Sequence, residues 1–200
     1  MRRRCLPLAS SVLSVLSACA TPARPRELAV PDVRQATTYT CSASALQAVL
    51  AYYGIEMRED ALATELGVTE ADGAPPEAIV RVAVAHGLSA AKREHMTIDD
   101  LAAEVAKGHA VIVELQAWAD APRTSWVDDW DDGHYAIVVA VDGDEIVLED
   151  PSVLGSRAVL SRKELDERWH DIDGGYKNIR TGIVITGKPP APPRSRIHMD

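Results

Sequence analysis

The stretch Gln35-Ala-Thr-Thr-Tyr-Thr-Cys41-Ser-Ala-Ser-Ala-Leu-Gln-Ala-Val-Leu-Ala-Tyr-Tyr-Gly54 sets a cysteine at the start of a helix, six residues after a glutamine. Ala45, Leu46, Val49, Leu50 and Tyr53 form one apolar stripe at a 3.6-residue period. Gly54 follows as a helix stop, and Thr40 or Ser42 is available as the N-cap. Cys41 is thereby expected among unpaired N–H groups at the positive end of the helix dipole, where negative charge is favoured. A thiol so placed, and paired with a histidine, can fall from about 8.5 to roughly 3.5–7.5 and become a nucleophile at neutral pH. The competing reading is a cysteine that serves as a small core hydrophobe.

Beyond Gly54 the first half continues as helices. They are expected over Glu59 to Leu66, after Pro75-Pro76, and from Thr97 to Lys107, where Thr97 and Asp100 suit a capping box. Leu88 to Arg93 reads as a short strand between them. The second half is strand-rich: Ala110 to Leu115, Gly133 to Val141, Glu145 to Asp150, Arg157 to Leu160, and a closing strand over Ile179 to Ile185. A hairpin turn at Gly143-Asp144 joins the second and third of these. Ser161 and Glu164 suit a second capping box, on a helix running to Trp169. Helices first and strands later give an α+β class, with a helical N-terminal half and an antiparallel sheet in the C-terminal half.

The N-terminus reads as an export signal. Arg2, Arg3 and Arg4 precede an apolar run, Leu6 to Leu16, that is shorter than the ~20 residues needed to span a bilayer. It ends in Leu16-Ser17-Ala18-Cys19, which resembles the lipobox of bacterial lipoproteins. That resemblance implies removal of residues 1–18, lipidation of Cys19, and an exported protein anchored at the periplasmic face of a membrane or at the cell surface. Residues 19–29, with Pro22 and Pro25, read as a tether. The folded domain is expected over 30–187, and the proline-rich residues 188–200 as a disordered tail. With Cys5 lost and Cys19 lipidated, Cys41 would be the one free thiol, so neither a disulfide within the chain nor a cysteine zinc site is expected. A formal charge of −9 argues against general nucleic-acid binding, which needs a basic face.

Three residues then fit one mechanism. Cys41 is the candidate nucleophile. His134, near the start of a buried-type strand, is the candidate base, and Asp150, at the end of the next, would orient its ring. Gln35, with the Cys41 backbone N–H, is the candidate oxyanion donor, a role worth about 10²–10³ in rate per donor. Each has a plain structural alternative: a core histidine, an Asp-Pro turn, a solvated loop glutamine. Strand register works against the set. Counted from a two-residue turn at Gly143-Asp144, Asp150 falls opposite Ile137, roughly 10 Å along the strand from His134 and on the other face. A bulge, or departure of the chain at Pro151, is needed to bring the carboxylate back.

The segments Gln35-x5-Cys41, Gly133-His134-Tyr135 and Glu149-Asp150-Pro151 resemble, in order, the three motifs of the C39 cysteine peptidases, the bacteriocin-processing, double-glycine type, over about residues 30–186. Ser42 stands where a glycine usually follows the cysteine, and Thr40 where an acid or amide often precedes it. The resemblance implies a papain-like fold and a thiol peptidase hydrolysing peptides or proteins outside the cytoplasmic membrane, with Cys41, His134, Asp150 and Gln35 as its catalytic residues. There is no GxxxxGK[ST] motif and no membrane-spanning domain, so the full peptidase-transporter is not expected, and a transporter partner is left open. No cofactor and no metal is expected. Two other functions stay open: a peptide-binding lipoprotein of the same fold without turnover, and a thiol acyltransferase of transglutaminase type.

Residues 118–132 form a long loop directly before His134, with Trp118, Trp126 and Trp130 among aspartates. Loops of this length in compact domains are usually functional or disordered, and three tryptophans argue against disorder. The loop is a candidate wall of the substrate cleft, with the tryptophans stacking on a peptide and Asp128 and Asp129 favouring cationic residues. The plainer reading is packing at the edge of the domain.

Overall fold

The computed structural model describes residues 26–188. The expected signal, Cys19, most of the tether and residues 189–200 lie outside them. The element at the centre is α1 (Cys41–Tyr52), in which all residues but Gln47 and Ala51 are buried. Its run of Ser and Ala lets neighbours close in on every side, so it behaves as a core helix rather than an amphipathic surface one. Neither candidate hydroxyl caps it. Thr40 Oγ1 donates to Thr37 O at 3.2 Å, and Ser42 lies inside the helix. Gly54 ends it at φ +81°, a conformation glycine adopts without Cβ strain.

Next come α2 (Glu59–Leu66), α3 (Pro76–Ala85), β1 (Ser89–Arg93) and α4 (Ile98–Ala106). The Thr97–Asp100 capping box is present as expected. Then follow β2 (Ala110–Gln116), β3 (Gly133–Asp142), β4 (Glu145–Glu149), β5 (Ala158–Ser161), α5 (Arg162–Arg168), β6 (His170–Asp173), β7 (Tyr176–Ile179) and β8 (Gly182–Thr186). Six strands form one antiparallel sheet in the order β1-β8-β2-β3-β4-β5. The helix α1 packs on β2 and β3 at its centre, α3 on β1 and β8, and α5 on β2, β4 and β5. Every residue of β2 is buried, which is why Ala-Val-Ile-Val-Glu-Leu-Gln reads as an unbroken run rather than an alternation. Large side chains from both layers, among them Leu46, Leu50, Ile112, Ile137 and Trp169, fill the core.

Two sequence expectations need correction. The closing strand over Ile179 to Ile185 is two strands, broken at Arg180, whose φ is +48° and whose N–H turns to Trp169 O at 2.8 Å. Its first part, β7, pairs with β6 through a Gly174-Gly175 turn into a separate hairpin packed on β2. Packing also starts before residue 30. Glu27 pairs with Arg157 at 2.7 Å, and Leu28 is buried.

The β3–β4 register holds the feature that matters most for the site. Near the turn the pairs are Asp142↔Glu145, Val141↔Ile146 and Ala140↔Val147, as a two-residue turn requires. Then the register slips: Val138 pairs with Leu148 and Ile137 with Glu149, leaving Val139 as an extra residue. The strand is bulged there. Continued by one step, Asp150 comes opposite Ala136, on the same face as His134. The objection from parity is removed by the bulge. The carbonyl of Val139 does not go unsatisfied: the Leu28 N–H donates to it at 2.9 Å.

Candidate active site

Cys41 heads α1, His134 is second on β3, and Asp150 directly follows β4. All three are buried, at 9%, 6% and 3% exposure, yet Cys41 still lines an open cleft. The Nε2 of His134 lies 2.7 Å from Asp150 Oδ1. The Cys41 thiol hydrogen-bonds the same imidazole, for which Nδ1 is the nitrogen left free. The backbone N–H groups of Tyr135 and Ser42 also point to the sulfur. The uncapped first turn of α1 thus turns a free donor on the thiol, as the sequence placement implied.

The electrostatics follow from this chain of contacts. Burial pushes the Cys41 thiol up, but the bond to His134, its charge and the two N–H groups outweigh burial, and the net shift is down. Burial likewise opposes charge on His134. Asp150 and the Cys41 sulfur override it and raise the ring to about 10. Burial of Asp150 is overridden by His134, by the Ser152 N–H on Oδ1 at 2.8 Å and by the Trp118 indole N–H on Oδ2 at 3.0 Å, so this carboxyl is lowered. The set favours a thiolate beside an imidazolium, held by a carboxylate that is itself fixed by two further donors.

Gly133 is required by what lies behind it. A Cβ there would run into the carboxylate of Asp171 on β6. Gln35 is tied to the turn after Asp150: its N–H donates to Pro151 O at 3.0 Å, and Ser152 Oγ donates to its Oε1 at 3.4 Å. Its side-chain amide donates to Thr37 O at 2.8 Å, so in this conformation it is committed to its own loop.

The loop over 118–132 divides among several tasks. Trp118, at φ +60° and more than half exposed, spends its N–H on Asp150. Trp126 carries the Arg168 guanidinium on its ring at 4.0 Å. Trp130 stacks on His170 at 4.5 Å, with Lys177 above it at 4.2 Å, and lines the cleft that holds Cys41. Asp129 is paired with Arg123 at 2.9 Å, and Asp132 with the same arginine at 2.6 Å. Asp128 is exposed but does not line that cleft. Beside Glu70, Asp72 and the loop's own Asp131, the cleft is lined by three acids carried on strands, Glu114 on β2 and Asp171 and Asp173 on β6. Sequence reasoning passed over these three. The visible signal was His-Asp-Ile-Asp before Gly174-Gly175, a hairpin pattern with acids at alternate positions.

Comparison with known proteins agrees with this architecture. The model of the Peptidase_C39 like family matches residues 27–176. An uncharacterized protein of Methanothermobacter marburgensis is 31% identical over 121 residues, covering 60% of this chain and 71% of that protein. Among solved structures, one described as a C39-like peptidase from Bacillus anthracis superposes with a TM-score of 0.58 at 15% identity, over 80% of this chain and 96% of the other. The peptidase domain of Streptococcus ComA, a bifunctional ABC transporter, gives 0.56 at 20% identity, over 78% and 97%. A double-glycine motif protease from an AMS/PCAT transporter gives 0.52 at 17%, over 82% and 94%. At these identities the structural likeness speaks for the papain-like fold.

Proposed function

This chain belongs to the Peptidase_C39 like family, and from that premise we propose that it is a cysteine peptidase acting through Cys41, His134 and Asp150. The supporting observation is the unbroken path from thiol to imidazole to carboxylate, anchored by the Trp118 N–H. The Cys41 thiolate attacks the scissile carbonyl carbon and forms an S–C bond. The His134 imidazolium then gives its Nδ1 proton to the leaving amine as the C–N bond breaks. Water, deprotonated by the same ring, releases the acid and restores the thiol. Gln35 and the Cys41 N–H serve the developing oxyanion, which requires the Gln35 amide to leave Thr37 O. Exported and lipidated at Cys19, the protein works on peptides or proteins outside the cytoplasmic membrane.

The test is an activity-based thiol probe and a peptide library, applied to the wild type and to Cys41→Ala. Labelling and cleavage that vanish in the variant support the reading. Peptide binding with no cleavage by the wild type would leave a binding protein of the same fold.

A further inference from the structure

The cleft beside Cys41 has a volume of about 360 Å³ and is lined by Glu70, Asp72, Glu114, Asp131, Asp171 and Asp173, and among the described residues no basic side chain lines it. Acidity alone would say little, since carboxylates on a surface are usually just solvated. Glu114 is different. It lies on the fully buried strand β2, is 2% exposed, and its Oε2 receives no hydrogen bond among the described residues. Its Oε1 is served only by the Tyr135 hydroxyl at 3.0 Å, whose single proton is equally placed for Ala74 O at 3.2 Å. The group facing Glu114 is the Asp173 carboxyl, and two carboxyls can hydrogen-bond only when one of them carries a proton. The neighbouring acids are already occupied: Asp173 Oδ2 accepts from Asn178 at 2.8 Å, and Asp171 Oδ1 from Gln116 and Ile172, both at 2.9 Å.

A buried carboxylate oxygen without a donor, as Oε2 is, is costly unless something brings one. Between two facing carboxyls that something is either a proton or a cation. We propose that the Glu114–Asp173 pair at the floor of this cleft is the recognition site for a cationic side chain, lysine or arginine, of the substrate peptide. The proposal rests on the peptidase reading only for the nature of the ligand, because a chain laid across Cys41 is what would enter this cleft. The described carboxylates are not clustered as a metal cage, whereas a side-chain ammonium or guanidinium brings the several N–H donors that Oε2 lacks. In the free protein a proton occupies the place of the cation, consistent with Glu114 being raised to about 10 by burial and by Asp173. Seating a lysine therefore expels a proton. An apolar analogue brings no donor, leaves the proton where it is and gains nothing from the pair, so the preference is for the cation.

The experiment measures binding of fluorescent alanine–glycine hexapeptides, each with lysine, arginine, norleucine or glutamate at one position, to full-length Cys41→Ser protein at 0.15 M salt. The expected result is one position at which lysine or arginine binds at least tenfold tighter than norleucine. That ratio falls to within twofold in Cys41→Ser/Glu114→Gln and in Cys41→Ser/Asp173→Asn. Calorimetry in two buffers at pH 7 shows proton release with the cationic peptide only. A tenfold ratio that survives Glu114→Gln would assign the preference to the general negative field. Equal affinity for lysine and norleucine at every position overturns the proposal. The peptidase reading fails separately, on the wild type: a Cys41 that iodoacetamide alkylates no faster than in His134→Ala removes the activated thiol but leaves the binding ratio standing.

Discussion

The Nε2 of His134 lies 2.7 Å from Oδ1 of Asp150, and the two side chains share a face of the sheet because β3 carries one residue more than β4 at Val139. In an unbulged hairpin the carboxylate would come opposite Ile137 and point away. One inserted residue changes the parity of everything beyond it, Asp150 included.

The pairing of thiol and imidazole sets a pH profile. Cys41 is lowered below its ordinary 9.0 and His134 raised to about 10, so alkylation of Cys41 by iodoacetamide should show an acid limb below pH 9.0. In His134→Ala the thiol keeps the burial that raises its pKa and loses the partner that lowers it. Its limb should move to higher pH, and the rate at pH 7 should fall. An unmoved limb would mean that the backbone donors alone hold the thiolate.

Trp118 acts through Asp150. Trp118→Phe keeps a ring and deletes the N–H donated to Oδ2, a bond worth about 1–2 kcal/mol. We expect kcat/KM to fall about five- to thirtyfold, carried by kcat with KM little changed. A stacking role on the peptide would instead appear in KM. Asp150→Asn should be more severe than this and milder than Cys41→Ala, because the thiol–imidazole contact survives it.

Gly133→Ala should destabilise the domain by roughly 1–3 kcal/mol, since a Cβ at that position meets the Asp171 carboxylate and one of the two must shift. Asp171→Gly removes the obstacle. A double-mutant cycle on urea unfolding should therefore return most of the Gly133→Ala loss in the Asp171→Gly background. Additive effects would place the strain elsewhere.

Glu114 gives stability a sign. Its carboxyl is raised from 4.5 to about 10 in the fold, so between those values the folded state holds a proton that the unfolded chain has lost. Stability contributed by this group is complete below about 4.5 and declines as pH rises toward 10. Glu114→Gln removes the titration. Its melting temperature should exceed the wild type's by several degrees at pH 8, with a gap that narrows at pH 4. A constant gap would show that Glu114 is ionised in the fold.

Cys19 is proposed as the lipidated mature N-terminus. Mass spectrometry of protein from the membrane fraction should find an N-terminal acylated Cys19, and Cys19→Ser should accumulate as unprocessed or unanchored chain. Wild-type protein that is free of membranes and starts at another residue would refute the assignment.

The helix α1, both capping boxes and most strands were legible in the sequence because each rests on local rules: a 3.6 period, a Ser or Thr three residues before an acid, a β-branched run between turns; that α1 is buried on every side was not. Cys41 and His134 were legible for the same reason, as each stands at the start of its element. The contact with Asp150 was not, because a bulge depends on how two strands share a twist and leaves no mark in Ala136 to Asp142 taken alone. The cleft acids were missed for a related cause. Glu114 looks like an intruder in a hydrophobic strand, and only the fold brings Asp173 to it from 59 positions downstream. The aspartates of the 118–132 loop misled in the opposite direction: their density suggested a binding surface, while Arg123, within the same loop, neutralises Asp129 and Asp132.

The hydrogen bond from the Leu28 N–H to the bulged Val139 carbonyl has a practical consequence for where a shortened form of this protein can begin. A boundary at residue 30, natural from the prolines upstream, would amputate that donor along with Glu27, the ion-pair partner of Arg157. It would spare every residue of the site and still loosen the bulge at Val139 that keeps Asp150 on the side of His134. The expected result is an intact cleft with a looser His134–Asp150 pairing. Starting at Arg26 or earlier keeps the clasp, and comparing the two lengths measures what the clasp is worth.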